Sequence, residues 1–148
     1  MPRVDFYRLT RDPAPRVVPL LAERVLGLGQ RLLVVAEDEG LRRAISEALW
    51  GGKAHSFLAN GPTDGEQAAA DPILIGAVLD PAPANGARMI VLADGEWRVA
   101  ALGFERCFLL FDDSRIGEAR ATWRALGDDA AVERHFWKQE DGRWVEGP

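Results

Sequence analysis

Four short runs of almost unbroken apolar residues limit what this chain can fold into. They are RLLVVA (Arg31–Ala36), ILIGAVL (Ile73–Leu79), RMIVLAD (Arg88–Asp94) and RCFLLF (Arg106–Phe111). A strand with one face in water alternates polar and apolar residues. One without alternation is buried on both faces, as in a parallel sheet covered by helices on both sides. The intervening segments supply such covers. Pro13-Ala-Pro opens a run with Val17, Val18, Leu21, Val25 and Leu26 at helical spacing, which stops at Gly27-Leu-Gly. Proline at the start and glycine just past the end are helix boundaries. EDEGLRRAISEALW (Glu37–Trp50) places acids first, where they favour the positive end of a helix, and then Leu41, Ala44, Ile45, Ala48 and Leu49 on one stripe.

The remaining segments complete the alternation. VDFYRL (Val4–Leu9) alternates and reads as a strand, so the first half is a β-α-β-α run with a right-handed parallel crossover. Gly51–Asp71 reads as loop with one brief strand near Ser56–Leu58, and Glu96–Gly103 as a short helix. DDSRIGEARATWRAL (Asp112–Leu126) is a helix following the last apolar run, and HFWKQEDGRWVEGP forms a strand or an edge hairpin turning at Asp141-Gly142. The order predicts a three-layer, Rossmann-like α/β fold with a mostly parallel central sheet, in one domain over residues 1–148. Residues 127–148 form its least defined part, as a tail or hairpin.

Composition narrows the function. The 148 residues carry a net charge of −5, which argues against a protein that grips nucleic acid broadly, because neutralising phosphates takes many Lys and Arg. The single cysteine, Cys107, excludes an internal disulfide framework and suits a reducing compartment. The N-terminal MPRVDFYRL lacks the apolar run of a signal peptide, and no stretch approaches the ~20 apolar residues of a membrane helix. A cytoplasmic protein that does not contact a membrane is expected.

Signals for catalysis are sparse. A dinucleotide fingerprint needs glycines between the first strand and helix, and that turn is TRDPAP. Gly51-Gly52-Lys53 follows a helix and lacks the upstream glycine of a phosphate loop. His55 and His135 have no nucleophile elbow, and Cys107 sits in an apolar strand as a buried structural thiol. Glu37, Asp38 and Glu39 are the best catalytic candidates. They fall at the carboxyl end of a central strand, where a hydrolase dependent on nucleotide or metal would place three carboxylates. The plainer reading makes them a helix start. No cofactor and no metal is expected.

In the Asp112–Leu126 helix, Ile116, Arg120, Trp123, Arg124 and Gly127 share one face. Arg120 has no acid three or four positions away, and Arg120 and Arg124 are a like-charged i,i+4 pair. Unpaired arginines beside an indole suit a ligand with carboxylates and an aromatic ring. The alternative is a tryptophan packed in the core beside solvated arginines. Trp50 and Phe57 form a second aromatic pair, either core or an exposed anchor.

Two stretches resemble the chi subunits of bacterial DNA polymerase III holoenzyme, which are clamp-loader accessory proteins. One is VVAEDEGLRRAISEALWGGKAHSFLAN, with its A-L-W and S-F; the other is FLLFDDSRIGEARATWRAL, with an arginine and an aromatic three apart. With VDFYRL, the resemblance runs to about Leu126. It implies a non-catalytic bridge between the clamp loader and single-stranded DNA-binding protein, without direct contact to nucleic acid. Arg120 would take the terminal carboxylate of that protein's acidic tail and Trp123 would flank its phenylalanine. Arg115 and Arg124 would meet the upstream aspartates, and Leu109 would complete the site. Trp123 stands where a tyrosine is expected, and Ile116 where a lysine often sits. Trp50 and Phe57 would dock the psi subunit or a substitute, on a surface that also serves a helicase-like repair protein.

Overall fold

The computed structural model describes residues 1–51 and 58–147. Its strands are β1 (Arg3–Arg8), β2 (Leu32–Val35), β3 (Asn60–Pro62), β4 (Ile73–Gly76), β5 (Met89–Leu92), β6 (Arg106–Phe111), β7 (Glu133–Glu140) and β8 (Arg143–Glu146). The helices are α1 (Ala14–Gly27), α2 (Glu39–Trp50) and α3 (Ile116–Gly127). The strands form one eight-stranded sheet in the order β3-β4-β2-β5-β6-β1-β7-β8. Every pairing is parallel except β7 with β8.

The strands within these runs, β2, β4, β5 and β6, are buried on both faces, as their lack of alternation requires, but the Ile73–Leu79 run is a strand only as far as Gly76, and its Val78 is 77% exposed. Leu32 and Val34 of β2 pack with Val17, Val18, Leu21 and Val25 of α1 and Ile45 and Leu49 of α2. Leu33 and Val35 point to the other side, where Leu92, Leu109 and Phe111 meet Ala119 and Leu126 of α3. The result is a three-layer α/β fold. Helix ends follow their sequence signals. Asp38 caps α2, its side chain accepting the Leu41 N–H. After α1 the chain turns through Gly29 at φ +75°, and the Gly29 N–H bonds back to the Leu26 carbonyl.

Three details depart from the sequence reading. The brief strand lies at Asn60–Pro62, after the expected island, of which Ser56 and Phe57 fall outside the described residues. Glu96–Gly103 shortens to a 3₁₀ turn, Val99–Gly103. The alternation of β1 does not mark a wet face, because Val4, Asp5, Phe6 and Tyr7 are all buried between β6 and β7.

The C-terminal segment is a hairpin whose first strand joins the parallel sheet. β7 lies parallel to β1, with Phe6 beside Phe136, and β8 returns antiparallel. Asp141 (φ +50°) and Gly142 (φ +74°) make the connecting turn, both in the left-handed region that a two-residue hairpin of the primed type needs. Gln139 of β7 also fastens the β1–α1 loop. Its Oε1 accepts the N–H groups of Thr10, Arg11 and Asp12 at 3.2, 3.1 and 3.4 Å. Its Nε2 donates to Asp12 Oδ2 at 3.0 Å. A glutamine side chain thus fills the turn where a Rossmann fold would hold a phosphate.

Candidate protein-binding site

Asp112, whose side chain accepts the Ser114 N–H, starts a 3₁₀ turn, Asp113–Arg115, that leads from β6 into α3. α3 turns Ala119 and Leu126 into the sheet, with Ile116 and Trp123 at the margin of the same apolar cluster. Arg120 and Arg124 are exposed, and neither forms an ion pair with an acid among the described residues. The face that these residues share is therefore divided. Its apolar members lean on the core and its arginines stand outside.

Trp123 is half-buried and fixed from several directions. Its ring meets Phe6 edge-on at 5.3 Å between centroids and Phe136 at 5.6 Å. The Arg134 guanidinium lies over the indole, 4.0 Å from its centroid, and Arg134 Nη1 donates to the Trp123 carbonyl. Arg134 belongs to β7, eleven residues on in sequence, and no helical periodicity would have found it. The available signal was weaker: a basic residue two positions before Phe136, just ahead of the segment expected to be a strand.

The other residues expected at this site are arranged differently. Leu109 is fully buried in β6, so it supports α3 from beneath and does not line a surface. Arg115 lies on the 3₁₀ turn and pairs with Glu118 at 3.0 Å. It lines a cleft of about 440 Å³ at the carboxyl ends of β1, β5 and β6. Trp50 is 41% exposed at the end of α2, and Phe57 lies outside the described residues.

The acids after β2 do not converge on one point. Asp38 caps α2, Glu39 pairs with Arg43 at 3.3 Å, and the Glu37 N–H is bonded by Asp94 at 2.9 Å. Burial alone would raise the Asp94 carboxyl, but two bonds from Arg98 and the N–H groups of Glu37 and Glu96 hold it below the ordinary range. Among the described residues no group of three or more His, Cys, Asp or Glu is placed to hold a metal ion. Cys107 is buried, and desolvation pushes its thiol far up, as suits a structural residue. No described helix is long and apolar enough to cross a membrane.

No curated protein matches the chain significantly. Residues 1–131 match the family model described as DNA polymerase III chi subunit, HolC, and the chain belongs to that family.

Proposed function

We propose that this chi-family chain is a non-catalytic adaptor in DNA replication. It links the clamp-loader complex to single-stranded DNA-binding protein by gripping that protein's acidic C-terminal tail. The observation that carries this reading is a local cationic and aromatic surface on an acidic body. Arg120 and Arg124, exposed and without acidic partners among the described residues, stand one turn apart beside the anchored Trp123. Like charges at this spacing cost an isolated helix ~0.2–0.5 kcal/mol, which a ligand carboxylate between them offsets. A guanidinium takes a carboxylate in bidentate fashion, and the indole offers a flat apolar wall to a terminal phenylalanine. Trp50 at the end of α2, with Phe57, is the surface for psi or another clamp-loader component, and for a helicase-like repair protein. The hydrolase alternative is less favoured, since the Asp38 carboxylate is taken up in capping α2.

The test is a titration of a labelled acidic tail peptide, followed by fluorescence anisotropy. Wild-type protein should bind with a micromolar-scale Kd that weakens as salt rises. Arg120→Ala should weaken binding by at least about tenfold, the scale of one charge-assisted hydrogen bond removed. Wild-type protein that ignores the peptide at low salt ends the proposal.

A further inference from the structure

α3 supplies only two exposed cations to this surface, because Ile116 is apolar and Arg115 lines the cleft and pairs with Glu118. A third stands beside Trp123 on another element. Arg134 is half-exposed, stacks on the indole at 4.0 Å and has no acidic partner among the described residues. One of its N–H groups is committed to the Trp123 carbonyl. A guanidinium has five, so the rest remain for a ligand. Gly127, one turn beyond Trp123, leaves room for it: a Cβ there would lie 2.7 Å from the guanidinium carbon.

We propose that Arg134 is a ligand-binding residue of this site, sharing with Arg120 the carboxylate of the peptide's terminal aromatic residue. The inference rests on the tail-binding reading above and adds to it. Residue 134 lies beyond residues 1–131, the part matched to the family, so this contact belongs to the C-terminal segment of the chain itself. Arg120 stands on α3 three residues before Trp123, and Arg134 comes to the indole from the strand. An arginine already stacked and tethered loses little conformational freedom when a carboxylate arrives, which makes it a better partner than a free one. The competing role is packing alone, in which Arg134 stabilises the carbonyl end of α3 and covers the ring.

A double-mutant cycle separates the two roles. Two acidic peptides ending in phenylalanine, one with a free carboxylate and one amidated, are titrated against full-length wild type, Arg134→Gln and Arg120→Ala. Amidation should weaken wild-type binding by about tenfold and Arg134→Gln binding by about threefold or less, the difference measuring the hold of Arg134 on the carboxylate. A purely packing arginine leaves the amidation penalty equal in both proteins, and that result overturns the proposal. If Arg134→Gln fails to fold, the Nε–H resonance of Arg134 in wild-type protein decides. It should shift with the carboxylate peptide and not with the amide, and equal behaviour with both rejects the proposal. Arg120→Ala binding both peptides like wild type counts against the tail-binding reading itself, a separate outcome.

Discussion

Asp5 shows what one residue can demand of a fold. It has no exposed side-chain surface, yet its carboxylate is fully engaged. Arg3 donates to both oxygens at 3.0 Å, Arg106 Nε to Oδ2 at 2.7 Å, and Trp137 Nε1 to Oδ1 at 2.9 Å. Burial alone would raise its carboxyl, but these donors outweigh the desolvation and hold it below the ordinary range. Asp5→Leu should cost about 3 kcal/mol in urea denaturation, because two guanidinium groups and an indole N–H lose their acceptor. A depressed folded pKa contributes stability above the unfolded value and loses it as pH falls. Acid unfolding should therefore set in below about pH 4 in wild type and be less steep in the variant. His135 works in the opposite sense. Glu146 and Glu133 accept from its two ring nitrogens and raise its pKa. Its contribution is complete below about pH 6.5 and fades as pH rises through the folded value. His135→Gln should flatten that part of a melting-temperature profile.

At the scale of elements, the Gln139 contact explains how β7 fixes the loop that leaves its neighbour β1. The side-chain oxygen gathers three N–H groups of the β1–α1 loop, while its nitrogen serves Asp12. Only an amide meets both demands. Gln139→Ala should destabilise by about 1–3 kcal/mol, the cost of stranding such groups. Gln139→Glu should be destabilised at neutral pH by repulsion from Asp12 and recover as pH approaches about 4, where carboxylates begin to protonate. A glutamate variant as stable as wild type at pH 7 would contradict this account. Such contacts also mark the limit of what could be read from sequence. α1, α2 and the apolar strands were legible, since their burial is written in local periodicity, and so was the Asp141-Gly142 turn. Asp5 read as the polar position of a half-wet strand because its partners Arg106 and Trp137 lie over a hundred residues away. Arg120 and Trp123 were legible as neighbours on a helix. Arg134 was not, because strand pairing brings it there and not helical spacing.

Across the whole molecule, the sheet joins the ends of the chain. β1 is an interior strand, its Arg3 opposite Arg106 of β6 on one side and Glu133 of β7 on the other. β3, β4, β2 and β5, by contrast, lie together and derive from the middle of the chain. This arrangement has a consequence for birth on the ribosome. The first strand made waits for roughly a hundred further residues, and at ~5–20 residues per second that is of order 5–20 seconds. Meanwhile Val4, Phe6 and Tyr7, all buried in the finished protein, have no strand to lie against. Force-sensing arrest-peptide fusions should register little folding tension until β6 has left the exit tunnel, with a further rise once β7 follows. A large signal from a nascent chain ending before Arg106 would refute this order. Strands made later thus decide when β1 is safe from aggregation and proteolysis.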